Sequence, residues 1–438
     1  SGEHSYIGQT MDNRLAPLEI SLVNPSNLLD TNNQADYIVI SHADFLSQAQ
    51  EMADFREGQG YSTLVVDVGE LYNVFNYGIF SPEAIRSFLQ YAYESWSEPK
   101  PAYVLLFGDA SLDYLDYFNT GEENYVPAAF TYQDSAIGET ATDNYYVRIS
   151  GDDLFPDMHI GRLPAQTQAD ANVMVAKIKG YEQNPPVDGW NANITFVTDD
   201  ADIAGNFPAL SDEIHDEYTP DVDNKEKIYN KVTHPSEAEA RQAIVEALNS
   251  GRLILNYIGH AGYTEWAYPM LFGTGQFPQL TNSDRLAFIS PMTCLEGYFF
   301  YPDFPVLGES ILRLSGGGAV ASWSPTGLGL ASGHDYLNRG LFTALFELGE
   351  KRIGPATTYG KFILYSQTGQ YRDLLETYIL FGDPLTQLHM IDTADLVVSK
   401  EVSFEEPLFP GSPVTYTIQF SNTGNVLASG VVLTDSLH

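Results

Sequence analysis

The chain has 438 residues, 44% of them hydrophobic and 13% aromatic, which is too long for one ordinary core and rich enough in apolar side chains to exclude disorder as the default. Against 21 Lys and Arg stand 58 Asp and Glu, so the formal charge is −37, a balance that repels polyanions and excludes nucleic acid and anionic lipid as partners. A surface this acidic suits an extracellular or saline setting, basic substrates, or bound Ca2+.

In chain order, residues 1–35 carry little periodicity and read as a leading arm. An apolar strand at Tyr37–Ser41 precedes an amphipathic helix over 44–57. A second strand at 62–67 precedes a helix over 82–95, for which Ser81 is the expected N-cap and Pro82 the first helical residue. A third strand, Tyr103–Phe107, ends in Gly108-Asp109. Near-continuous β-branched and aliphatic runs of this kind predict strands covered on both faces of a parallel sheet.

An irregular acidic and aromatic region, 110–156, separates this series from a strand near 158–160 and a helix over 168–182. Asn184-Pro-Pro-Val-Asp-Gly189 is the expected boundary between two similar halves. The second series predicts strands at 194–198, 253–258, 286–290 and 319–322, with helices over 210–217, 237–249 and 306–314. From 394 on, short alternating runs at 395–399, 413–420 and 430–435, separated by Pro- and Gly-rich turns, predict a partial β-sandwich. The expected organisation is an arm at 1–35, an α/β subdomain at 36–186, a second α/β subdomain at 187–391, and an all-β segment at 392–438.

Chemistry is expected where two apolar runs end. "NYIGHAGYTEW" places His260 between Gly259 and Ala261-Gly262, and the next predicted strand runs into "ISPMTCLEG", which holds Cys294, the single cysteine. One cysteine excludes an intrachain disulfide and a Cys-based metal cluster. Successive strands of a parallel sheet end on the same side, so His260 and Cys294 are expected to face each other. A thiol attacks a carbonyl as thiolate, and an adjacent imidazole takes or shares that proton. The small residues let a peptide backbone approach, and the N–H groups of Ala261 and Cys294 are candidates for an oxyanion hole. The GxSxG elbow, the HExxH helix and the Walker loop are all absent. No uninterrupted apolar run of roughly 18 residues predicts a membrane-spanning helix.

The segments "LILNYIGHAGYTEW", "QLTNSDRLAFISPMTCLEGYFF" and "ETYILFGDP", with "YVLLFGD" and "MHIGRLPA" earlier, resemble in order the catalytic domain of the gingipain family, the C25 cysteine peptidases, over about residues 37–390. The resemblance implies an α/β, caspase-like fold: a largely parallel sheet flanked by helices in two similar subdomains, followed here by the start of an immunoglobulin-like segment. It implies a secreted or cell-surface bacterial endopeptidase acting on protein or peptide after a basic residue, with structural calcium and no catalytic cofactor. Matched residue by residue, Cys294 falls on the nucleophile, His260 on its acid–base partner, and Asp200, with Asp199 beside it, on the histidine-orienting carboxylate. Asp212 falls on the acid at the floor of the P1 pocket, with Gly259 and Trp323 as further substrate-binding candidates, although Trp323 lies earlier than the family pattern places its aromatic. Calcium candidates are Asp109, Asp113 and Asp153, with Asp116, Glu122, Asp143, Asp152 and Asp157 nearby. The C-terminal strands suggest cell-surface attachment. The rival readings are a sortase-like transpeptidase of the same family and an inactive, peptidase-like adhesin.

Overall fold

The computed structural model describes residues 26–435 other than 222–223, 303, 391–395, 405–406, 408, 423–427 and 429. The first 25 residues of the expected arm therefore lie outside the described residues. The strands are β1 Tyr37–Ser41, β2 Thr63–Asp67, β3 Tyr103–Phe107, β4 Ala129–Asp134, β5 Gly138–Thr142, β6 His159–Leu163, β7 Asn193–Thr198, β8 Asn224–Tyr229, β9 Ile254–Ile258, β10 Glu265–Trp266, β11 Phe272–Gly273, β12 Ala287–Met292, β13 Ala319–Pro325, β14 Tyr378–Phe381, β15 Leu396–Phe404 and β16 Val414–Asn422. The helices are α1 Leu46–Glu57, α2 Val68–Phe75, α3 Pro82–Ser95, α4 Gln168–Gln183, α5 Phe207–Glu217, α6 Glu237–Ser250, α7 Leu307–Arg313, α8 Ala331–Phe342, α9 Ile353–Thr368 and α10 Asp373–Thr377.

Ten strands form one sheet in the order β2-β1-β3-β6-β14-β13-β12-β9-β7-β8. Every pairing is parallel except β13–β14, which is antiparallel. The two parallel blocks therefore run in opposite directions, and the C-terminal ends of β9, β12 and β13 share one edge of the sheet. Alternation along β1 sends Tyr37 and Val39 into the core shared with α1 and α4, and Ile38 and Ile40 into the core shared with α3. Helices α1, α4 and α7 lie side by side on one face; α5, α8 and α9 cover the other in the second half. This double cover is why the strands read as continuous apolar runs.

Ser81 caps α3 through the Glu83 amide, with Pro82 opening the helix as expected. Several elements were not expected from the sequence: α2, the β4–β5 hairpin, the edge strand β8, the short pair β10–β11, the helices α8, α9 and α10, and the antiparallel β14. In the C-terminal segment β15 and β16 pair antiparallel from Leu396↔Asn422 to Phe404↔Val414. Residues 430–435 do not form the third strand expected there. Among the described residues, no helix is long and apolar enough to cross a membrane.

Candidate active site

Strands β9 and β12 are neighbours in register, with Ile258 opposite Met292. Two residues further on, the same register sets His260 beside Cys294, on strands about 5 Å apart. The Gly259 amide reaches the Met292 carbonyl at 3.4 Å, and the Thr293 hydroxyl donates to the Gly259 carbonyl at 2.7 Å. Gly259 is confined by its own neighbours: a Cβ there would lie 2.4 Å from the Tyr257 hydroxyl and 2.6 Å from the Asp199 Cβ. The small residue before the histidine is thus required by packing beneath the turn.

Cys294 sits on a sharp turn in which Leu295 takes φ +59°, a conformation costly for a branched side chain and found where a site over-determines its backbone. The thiol rests against the loop after β13, with the Gly329 amide 3.4 Å from Sγ and the Gly329 carbonyl 3.6 Å away. Burial pushes the Cys294 thiol up, and the Gly329 backbone bond offsets part of that. A second imidazole, His334, lies buried behind this loop. A Cβ on Gly329 would come within 2.1 Å of its Nε2, and burial pushes its pKa down to about 3. His334 is thus held neutral inside, leaving half-exposed His260 as the imidazole that can exchange a proton with substrate and water.

His260 does not hydrogen-bond Cys294 in this resting arrangement. Its Nε2 meets Asp202 Oδ2 at 3.0 Å, and its ring stands edge-on to Phe207 at 5.4 Å. Such contacts are often open before substrate arrives. The carbonyl of His260 accepts from the Tyr257 hydroxyl at 2.6 Å and from the Ala267 amide at 2.7 Å. Among the described residues, the amides of Ala261 and Cys294 have no protein acceptor, as two oxyanion donors must.

Three assignments made on the sequence are corrected here. The carboxylate that meets His260 is Asp202, not Asp200. Asp200 instead accepts from Lys231 at 3.1 and 3.2 Å and from Asn230 at 3.0 Å, on the side of the turn facing β8. Asp199 bonds back to the Asp200 amide. Asp202 is aimed by its own turn, Oδ1 accepting from the Ala204 amide at 2.7 Å; that bond and His260 hold its carboxyl below the usual range. The Asp-Ile-Ala-Gly run carried this Asx-turn signal. Asp202→Asn is expected to lower kcat about 10- to 100-fold, and Asp200→Asn to change it less than about twofold, because Asp202 meets the imidazole whereas Asp200 meets only Lys231 and Asn230. Equal losses in the two variants, measured on one peptide, would contradict this.

Trp323 is 1% exposed in the middle of β13, its ring against Tyr378 at 5.2 Å and under Gly360, so it belongs to the core and lines no substrate pocket. Asp212, on α5, is already paired: Lys227 reaches it at 2.7 Å and the Tyr229 hydroxyl at 3.0 Å, both from the edge strand β8. It is not presented as an open pocket acid.

The calcium candidates do not assemble into a cage. Asp109 is buried, and its oxygens are taken by the Ala110 amide, Gln166 and the Arg313 guanidinium. Asp113 and Asp153 accept backbone amides of their own loops, and Asp143 pairs bidentately with Arg162. The one group among the described residues with converging ligand atoms is His42, Asp44 and Glu123, whose imidazole is a poor match for a hard cation that prefers six or more oxygens. The residues present do not fit the expected ion, and no step of the chemistry is routed through it.

Residues 30–389 match peptidase family C25. Gingipain R2 of Porphyromonas gingivalis is 26% identical over 376 residues, covering 79% of this chain and 45% of its own length. Gingipain R1 of the same organism is equally identical, with 33% of its length covered. The chain thus spans less than half of these curated relatives. Two solved structures share the fold. One is the Arg-specific cysteine proteinase gingipain R, with TM-score 0.66 and 23% identity, covering 86% of this chain and 82% of its own. The other is the complex of Porphyromonas gingivalis RgpB pro- and mature domains, with TM-score 0.67 and 22% identity, covering 85% and 83%.

Proposed function

The chain belongs to peptidase family C25, the cysteine peptidases, and from that premise we propose that it is a secreted endopeptidase that cleaves after a basic P1 residue, Arg foremost, through Cys294 and His260. The observation that carries this reading is the placement of His260 and Cys294 at the ends of adjacent, in-register strands, with His260 braced by Asp202. His260 Nδ1 takes the thiol proton as Sγ attacks the scissile carbonyl. The oxyanion forms against the amides of Cys294 and Ala261. The imidazolium protonates the leaving amine, releasing it and leaving a thioester, and the neutral imidazole then activates water to hydrolyse it.

The basic P1 preference is supported by the Arg specificity of gingipain R and by the net charge of −37, which concentrates cationic peptides at the surface. Asp212, held by Lys227 and the Tyr229 hydroxyl, is not assigned to that preference. The test is hydrolysis of matched fluorogenic peptides with Arg, Lys, Ala or Asp at P1, with added Ca2+ or with a chelator. Cleavage of the Arg peptide at least about tenfold faster than Ala or Asp is expected, since tenfold needs only about 1.4 kcal/mol, within what one charge-assisted hydrogen bond to a guanidinium supplies. Equal cleavage of all four would overturn the specificity.

A further inference from the structure

Two residues after Cys294, a carboxylate lies inside the protein with no part in the chemistry described above. Glu296 is 1% exposed, and burial pushes its carboxyl up to about 7. One oxygen accepts the indole N–H of Trp266, and the other accepts the Ser324 hydroxyl at 2.8 Å, itself 2.8 Å from the Ser322 hydroxyl. A buried acid that keeps hydrogen bonds to two separate elements makes a costly connection, and what it connects here is specific.

On one side Glu296 closes the nucleophile turn, its amide donating to the Cys294 carbonyl at 2.8 Å, while its own carbonyl accepts from the first turn of α7 at Gly308, 3.0 Å. On the other side, Trp266 belongs to the histidine hairpin. Trp266 bridges to Ala261 across that hairpin, flanked by the Gly262 amide bond to Glu265 at 2.9 Å. Its ring lies flat on Tyr257, centroids 4.4 Å apart and 6° between planes, and the Tyr257 hydroxyl holds the His260 carbonyl. The path Cys294–Glu296–Trp266–Ala261 therefore joins the two amides that must converge on one oxyanion.

We propose that Glu296 is a positioning residue whose side chain, through Trp266, sets the spacing between the Cys294 and Ala261 amides. This rests on the peptidase reading of the same site. Glu296 touches neither substrate nor reacting atoms, so its removal leaves the thiol chemically competent while opening the oxyanion pair. A carboxamide keeps an oxygen for the indole and an amide group for Ser324, so Gln at 296 preserves the tie, and Ala breaks it.

The test uses the full chain labelled with 15N-tryptophan, whose four indole resonances include that of Trp266, assigned with Trp266→Phe. For Glu296→Ala, kcat is expected to fall at least about tenfold with KM within about twofold, because the lost interaction is made only in the transition state. The Trp266 indole resonance shifts and its N–H exchanges faster, while iodoacetamide alkylation of Cys294, which needs no oxyanion hole, stays within about threefold. Glu296→Gln restores kcat to within about threefold of the parent, since it keeps both hydrogen bonds. An unmoved Trp266 resonance in Glu296→Ala overturns the proposal, as does an unchanged kcat, or a Gln variant as impaired as Ala. A parent chain that hydrolyses no peptide defeats the peptidase reading instead, while the indole resonance still reports whether the tie exists.

Discussion

Cys294→Ala is expected to abolish peptide hydrolysis, with a loss on the order of 10⁴ to 10⁶ in kcat and an unchanged unfolding profile. The sulfur is the single thiol of the chain, sits on a strained turn in register with His260, and makes its polar contacts with Gly329, contacts that hold no secondary element together. In the proposed mechanism, alanine removes the atom that would form the acyl bond and leaves the proposed oxyanion amides in place. The remaining rate reports only what those amides and substrate binding achieve alone. His260→Ala should approach the same floor, and the double variant should be no worse than either single, because the two groups act as one unit. Additive losses in the double variant, measured as kcat on the Arg peptide, would show that they act separately.

Arg162→Met is expected to lower stability by about 3 to 5 kcal/mol, read from the urea midpoint at constant m. The guanidinium is fully buried and has five protein acceptors. Two bonds of 2.9 and 2.7 Å go to Asp143, and others to the carbonyls of Gly108 at 2.9 Å, Val126 at 2.7 Å and Pro127 at 3.3 Å. It also lies 5.1 Å over the ring of Phe299, five residues beyond Cys294, so the loops of the first half and the back of the nucleophile turn share one anchor. Methionine fills most of the volume but leaves the Asp143 carboxylate buried and unpaired. Removing both partners with Asp143→Leu should recover part of the loss, since the penalty lies in the orphaned charge more than in the pair. A double variant less stable than Arg162→Met would contradict that assignment.

The neighbouring placement of His260 and Cys294 was legible because two apolar runs ended in turns bearing the single cysteine and a glycine-flanked histidine, and the parallel register brings those strand ends to one edge of the sheet. The capped helix α3 and the strands β1, β3 and β9 were legible for the same reason: local pattern and tertiary environment agree in them. Strand β8 was not, because an edge strand carries charges along its length, here Lys225, Glu226 and Lys227, and shows no apolar run. Strand β14 has four residues, and its partners lie more than 50 positions upstream, so no local pattern announces the antiparallel seam at mid-sheet. The sequence pointed to Asp200, with Asp199 beside it, and the structure places Asp202 against His260, in the turn after β7. Spacing from a family pattern cannot resolve two residues there, whereas the Asx turn at Asp202 does. Trp323 and Asp212 failed for a related reason: a residue type at roughly the right spacing says nothing of whether its side chain is buried or already paired.

The most direct test of the Cys294–His260 account is mass-spectrometric labelling with an Arg-terminated peptidyl chloromethyl ketone, in the parent and in His260→Ala. The account predicts one adduct, on Cys294, forming fast in the parent, at least about a hundredfold slower without His260, and blocked by prior iodoacetamide. Labelling at another residue, or at Cys294 with equal speed in both proteins, would contradict it.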